Sequence, residues 1–336
     1  MQFLLLALVL TAGAAAAQWS RPVEELRSSG GLPPHVVGQF REPTAFQQAP
    51  SGDHYVFDRR AHRVFRIGAD GEAAELVQIG PEDGRLLGAS AFHLGPDGRF
   101  VVADAPEGRE RVQIFEGDGT RLGGFRLPGR AAPRITMGEL VLTGIASLQF
   151  TGRTIVMSQP ELGGLFTEFN LAGHAYRTLG VFRRTGHEAD RDVHLALNSG
   201  LPLVMPDGGY YFVFQAGVPL FRRYDSGGQL LFERHIEGPE LDPQLVVLPT
   251  IWPRRPGPSG QSLPIVPPTV RAAAVDPDGY LWIALQVPYV YVYDPQGEKV
   301  RTLMLRGAGI LNPTSLAFAG RDRLLVTPGC YEFTVR

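Results

Sequence analysis

The stretch SAFHLGPDGRFVVADAPEGRERVQIFEGDGTRLGGFRL (residues 90–127) decides how the rest of the chain is read. SAFHLG (90–95) is a short apolar run, and Pro96-Asp97-Gly98 turns the chain. RFVVAD (99–104) is a second apolar run, APEGRE (105–110) a polar loop, and RVQIF (111–115) a third run with polar residues interleaved. Asp118-Gly119 then leads into RLGGFRL (121–127). Asp-Gly between short β-rich runs marks a hairpin, because tight hairpin turns need residues that tolerate φ > 0. The stretch predicts one four-stranded antiparallel unit.

The same order recurs from Pro43 onwards, and a period of this kind signals a repeat architecture. HYVFD (54–58), TIVMS (154–158), YYFVF (210–214), YLWIAL (280–285) and RLLVT (323–327) stand as second strands of five further units. RVFRI (63–67), LFTEF (165–169), LFRRY (220–224), YVYVY (289–293) and YEFTVR (331–336) stand as their third strands. Nearly continuous apolar second strands suit burial between neighbouring sheets. The alternating third strands suit positions nearer the rim. The last unit lacks a fourth strand, and HVVGQF (35–40) is expected to supply it, closing the ring and covering an exposed edge. The fold class that follows is all-β, a six-bladed β-propeller closed by an N-terminal strand completing the last blade. The propeller spans 35–336, with 241–268 as a Pro-rich inter-blade insertion and 18–34 as an N-terminal extension.

Residues 1–17 read as a signal peptide: an apolar run from Leu4 to Leu10, then Ala15, Ala16 and Ala17 as small residues before the cut. The other reading is an uncleaved anchor, for which the run is shorter than the ~20 residues of a membrane span. The expected location is periplasmic or secreted, with no membrane span after signal removal. The single cysteine, Cys330, cannot form an internal disulfide, so stability must come from the core. A formal net charge of −2 with no basic stripe excludes a nucleic-acid footprint.

FDRRAHRVFRIGADG (57–71) and VADAPEGRERVQIFEGDG (102–119) resemble NHL-type repeats, and the chain is similar to exported bacterial six-bladed, TolB-like propellers. The resemblance implies an Asp at the end of the second strand tied to an Arg opening the third, here Asp58 with Arg63 and Asp104 with Arg111. Ser158, Gln215 and Gln286 replace the Asp in the third, fourth and fifth units.

Loops held on a rigid scaffold carry function, so the face bearing the junctions and the second-to-third-strand loops is the expected working face. Three junctions are long: 129–144, 183–194 and 241–268. RRTGHEADRDVH (183–194) gathers His187, Glu188, Asp190, Asp192 and His194, residue types that suit a divalent metal or a general base, although the spacing fits no metal motif. These acids and imidazoles could equally pair with Arg183, Arg184 and Arg191. The Pro-rich insertion adds Trp252, Arg254 and Arg255, residue types typical of binding hot spots. No serine-nucleophile elbow, phosphate loop or Cys/His cluster is present in the sequence. Two functions are distinguishable, and a purely structural part in an envelope assembly reads the same as the first. One is a binding module presenting the inter-blade loop face to a protein, peptide or glycan. The other is a metal-dependent hydrolase or lyase, lactonase-like, at the central channel mouth. No cofactor is predicted under the first; Ca²⁺ or a similar ion belongs to the second. Oligomeric state has no signature in the sequence.

Overall fold

The computed structural model describes residues 22–106, 110–127, 136–137, 140–141, 147–256 and 262–336. The signal-peptide reading at 1–17 and most of the 129–144 junction lie outside them. Six antiparallel sheets follow one another along the chain. The first contains Pro43–Gln48, His54–Asp58, Arg63–Ile67 and Ala73–Val77; the second Ala91–Leu94, Phe100–Asp104, Arg111–Phe115 and Arg121–Arg126. The third contains Leu148–Phe150, Thr154–Met157, Phe166–Asn170 and Ala175–Leu179; the fourth Gly200–Val204, Tyr210–Phe214, Leu220–Tyr224 and Leu230–His235. Val270–Val275, Leu281–Leu285, Val290–Tyr293 and Lys299–Arg306 form the fifth, and Ser315–Ala319, Arg323–Thr327 and Tyr331–Thr334 the sixth. The first strands neighbour one another in sequence, and that of blade 6 neighbours that of blade 1. The ring is therefore closed around a central channel.

Each pair of adjacent blades shares an apolar cluster. Between blades 1 and 2, Phe100 is fully buried and stacks on Phe115 at 5.0 Å, a burial that stabilises by about 1.5–3 kcal/mol. Second strands are buried along nearly their whole length, as their composition predicts. Third strands are almost equally buried: all five residues of Arg111–Phe115 are inaccessible. The boundary with solvent falls instead at the fourth strands, where Arg121–Arg126 alternates between half-buried and exposed.

The closing strand is N-terminal but is not the one expected. Residues 35–40 do not pair with blade 6; Pro34–Val37 is a short helix that buries Val36 against Phe46, Val56 and Phe65. Val36, Val37 and Phe40 share that cluster, a helical spacing rather than a strand alternation. Pro33 and Pro34 have no N–H to give a ladder. Gly30–Gly31 completes the sixth blade, pairing antiparallel with Glu332 and Tyr331. Gly31 holds φ +139°, and a Cβ there would lie 2.4 Å from the Cys330 carbonyl oxygen, so only glycine approaches this closely. Upstream, Glu24–Arg27 runs parallel to the last strand of blade 5. The N-terminal segment thus straps blade 5 to blade 6. Among the described residues, no helix is long and apolar enough to cross a membrane.

Candidate functional site

The first strands run from the junction face into the channel, so alternate residues form successive rings on its wall. At the mouth a cavity of ≈ 530 Å³ opens, lined by side chains from all six blades. A second cavity of ≈ 220 Å³ shares Gln47, His93, Gln149, Leu203, Ala273 and Leu316 with it. These six, one from the first strand of each blade, form a waist that is polar on the side of blades 1 to 3 and apolar on the side of blades 4 to 6.

The polar side of the waist is bonded from blade to blade. Gln47 Oε1 accepts from the Leu94 N–H at 2.7 Å, and His93 Nδ1 accepts from the Phe150 N–H at 3.2 Å. An accepting Nδ1 places the proton of a neutral imidazole on Nε2. Desolvation lowers the His93 pKa to about 4, against smaller upward effects from Gln149 and the Phe150 amide. His93 is a neutral latch between first strands.

The ends of the second strands surround the mouth. Asp58 is fully buried and accepts from the N–H groups of Arg41 (2.6 Å), Glu42 (3.0 Å) and Ala61 (3.0 Å). It does not pair with Arg63, which reaches Glu75 at 2.8 Å on the rim. Asp104 behaves as the repeat pattern implies: Arg111 donates to both of its oxygens at 2.8 and 2.9 Å, and the Leu87 N–H donates at 3.1 Å. Ser158 donates to the Leu165 carbonyl at 3.1 Å and accepts from the Gly200 N–H at 3.2 Å. In blade 6 the equivalent position is Thr327, bonded to Thr314 and Ser315 at 2.9 and 2.6 Å. Blade 4 differs. Gln215 is 4% exposed, lines the cavity, and its Oε1 has no hydrogen-bond partner.

Two more polar groups of the mouth lack partners, and both occupy irregularities of first strands. In blade 5 the register slips between Val270 and Ala272, and Arg271 is the extra residue. In blade 1 it slips between Pro43 and Ala45, and Thr44 is the extra residue. A bulge bends its strand and re-aims a side chain. Both side chains line the cavity, and the buried Arg271 Nε and Thr44 Oγ1 have no partner. Desolvation alone depresses the Arg271 pKa; among the described residues no carboxylate pairs with it. Glu42, also on the wall, is paired with Arg59.

The residues singled out from sequence lie away from this wall, on the outer flank of the same face, and the two segments meet. Asp190 caps the helix Arg191–Leu197 through the Val193 N–H at 3.3 Å and accepts from Arg254 at 2.7 and 2.6 Å. Trp252 donates through Nε1 to His187 Nε2 at 3.3 Å and packs with Val193, Ala196, Leu197, Ala216 and Val266. Glu188 is exposed, and its pKa is lowered first by its own backbone N–H and then by those of Thr185 and Gly186, which donate to it at 2.8 and 3.3 Å. His194 Nδ1 lies 2.8 Å from Thr185 Oγ1, and Asp192 sits in the first turn of the helix. Arg254–Pro256 and Ser262–Pro264 form a two-stranded hairpin in which Arg255 faces Leu263 in register. Among the described residues, no group of three or more His, Cys, Asp or Glu side chains could hold a metal. The cluster packs directly behind Gln215, since Ala216 belongs to it and bridges to Pro268 on the cavity wall.

Sequence reasoning missed Arg271 and Thr44 and read Gln215 only as a departure from the repeat pattern. The signal for Arg271 was a lone cation heading the small, apolar strand RAAAV (271–275). Nothing in the sequence marks the two bulges.

No family model matches the chain, and no curated protein matches it. Solved structures do resemble it in fold. A streptogramin B lyase is 12% identical with a TM-score of 0.53, over 86% of this chain and 76% of that one. The virginiamycin B lyase of Staphylococcus aureus is 12% identical with a TM-score of 0.51, over 88% and 95%. A catalytically inactive variant of that lyase with quinupristin gives 12% and 0.53 over the same shares. At this identity the likeness shows a shared propeller fold.

Proposed function

We propose that the chain is a binding module whose ligand site is the cavity at the channel mouth, on the junction face, with the 183–194 and 241–268 loops as the outer flank of that face. The leader at 1–17 would place this binding in the periplasm or outside the cell, and the NHL-type repeats would serve as its scaffold. The observation that carries the reading is the set of unpartnered polar atoms on the cavity wall: Arg271 Nε, Gln215 Oε1 and Thr44 Oγ1. Buried polar groups are ordinarily hydrogen-bonded, and each exception calls for a partner. The volume suits a small molecule, a sugar or the end of a peptide. A ligand-observed NMR screen of the purified protein with small acids, amides, sugars and short peptides tests it. Hits are expected to vanish in Ala273→Trp, which fills the waist from blade 5. Hits that persist unchanged in Ala273→Trp refute the site.

A second reading is a lyase, favoured by the fold likeness to streptogramin and virginiamycin B lyases. For a metal at the channel mouth, the donors present do not fit. The wall offers Glu42, engaged by Arg59, and His93, engaged by the Phe150 amide. Turnover of quinupristin by the purified protein, assayed with and without added Ca²⁺ or Mg²⁺, decides this reading.

A further inference from the structure

We propose that the cavity selects a ligand bearing a carboxylate on an apolar body, with Arg271 receiving the carboxylate. This rests on the cavity being the ligand site, and it names the ligand's chemistry.

The argument begins with charge. Arg41, Glu42, Arg59 and Arg271 line the cavity. Glu42 is taken up by Arg59. Arg41 is exposed at the rim, and Arg271 is half-buried with an inaccessible, unpartnered Nε. The site thus holds more positive charge than negative in a protein of net charge −2. A guanidinium partly withdrawn from water without a counter-charge carries a cost that grows with its burial, and fold closure alone gives no reason to keep one. Arg111 shows what this chain does when an arginine is structural: Asp104 grips it at 2.8 and 2.9 Å, and the Pro81, Glu82 and Arg85 carbonyls accept from it.

Strand geometry gives an independent line. The first-strand irregularities of the ring fall in blades 1 and 5, at Thr44 and Arg271. Both re-aimed residues are polar, and both have buried atoms without partners. Bulges of this kind cost ladder hydrogen bonds and are retained where a side chain must point elsewhere.

The rest of the wall sets the class of anion. Phe92, Leu148, Leu201 and Ala272 provide apolar surface near the charged end. One inward guanidinium matches a monoanion through paired N–H bonds in the plane of a carboxylate. A phosphate dianion would require a second inward cation, and Arg41 stays at the rim. Thr44 Oγ1 and the Gln215 amide remain to bond a polar substituent beside the carboxylate.

Two sources share this chemistry, a free organic acid and the C-terminal carboxylate of a peptide. Calorimetric titrations of the purified protein separate them. The probes are 3-phenylpropionate and 3-phenylpropionamide, phenyl phosphate, and the peptide Ala-Ala-Phe with its C-terminus free or amidated. Each carboxylate is expected to bind about tenfold or more tightly than its amide. The difference is expected to disappear in Arg271→Gln and persist in part in Arg271→Lys. If the free acid alone shows the preference, the ligand is a small molecule; if only the free peptide does, it is a chain terminus. Equal binding of acids and amides, tighter binding of phenyl phosphate, or no binding by any probe overturns the proposal. A preference that survives Ala273→Trp shows instead that the cavity reading has failed. Without ligand, Arg271→Gln is expected to raise Tm by about 2–4 °C, since an uncompensated charge is removed. A fall in Tm would make Arg271 structural and would also overturn the proposal.

Discussion

On the outer flank, Arg254 meets Asp190 at 2.6 Å, the indole of Trp252 donates to His187, and Glu188 caps two backbone N–H groups. At the channel mouth, Arg271 Nε, Gln215 Oε1 and Thr44 Oγ1 have no hydrogen-bond partner. Both regions are polar, and both come from segments that interrupt or head regular strands. They differ in whether the chain satisfies its own groups. A cluster that does so holds an insertion in place; a wall that does not leaves hydrogen bonds for something else to make. Density of charge along the sequence points to the first region, and only three-dimensional bookkeeping of partners points to the second.

The largest effect should separate two arginines of one ring. Asp104 and Arg111 are a buried, doubly hydrogen-bonded pair with side chains 0% and 4% exposed. Asp104→Ala strips Arg111 of its buried partner and leaves it only the more exposed Asp83 carboxylate at 3.2 Å, so it is expected to cost about 3 kcal/mol in urea unfolding. Removal of the Arg271 charge should act in the opposite direction. A cost below about 1 kcal/mol for Asp104→Ala would show that partner accounting does not rank these sites.

The waist offers the next effect. His93 has a folded pKa of about 4, below its ordinary value of 6.5. Above pH 6.5 it is neutral in both states and adds no pH dependence. As pH falls through 6.5 the unfolded chain takes up the proton first, so stability drops until the folded form also titrates near 4. The full drop is about 3 kcal/mol. His54 and His62, also lowered chiefly by desolvation, act in the same sense. The informative measurement is the difference between wild type and His93→Gln, which can still accept the Phe150 N–H. Between pH 7 and pH 4 the variant should lose less stability; identical slopes would remove His93 as the latch.

The fold was readable because its signals are local. Asp97-Gly98, Asp118-Gly119 and the apolar runs around them define a blade within one stretch, and the repeat extends it round the ring. Closure was misassigned because HVVGQF (35–40) carries enough apolar residues to pass for a strand. The spacing of Val36, Val37 and Phe40 and the preceding Pro33-Pro34 pair already favoured a helix. The true closing strand is Gly30–Gly31, which has no side-chain pattern to read; its glycine is required by the Cys330 carbonyl, a contact some 300 residues distant in sequence. Asp58 shows the same limit: the motif places Arg63 opposite it, as the register does, yet its carboxylate turns to the backbone of residues 41 and 42. The cavity opens on the face that loop length singled out from the sequence. Arg271 and Thr44 were not legible, because a bulge depends on the partner strand's register.

The smallest effect tests whether the outer flank belongs to the site. Asp190 caps the helix Arg191–Leu197 and pairs with Arg254, with side chains 39% and 34% exposed. Loss of a cap costs about 1 kcal/mol, and an exposed pair adds a few tenths at most. Asp190→Ala should therefore destabilise by about 1 kcal/mol and Arg254→Ala by less, with salt reducing the difference. Neither side chain lines the cavity, so affinity for a cavity ligand should stay within about twofold of wild type. A tenfold loss in Arg254→Ala at unchanged Tm would extend the ligand site onto the loops. The contrast between a satisfied flank and an unsatisfied mouth would then have to be redrawn, with Arg254 exchanging Asp190 for the ligand.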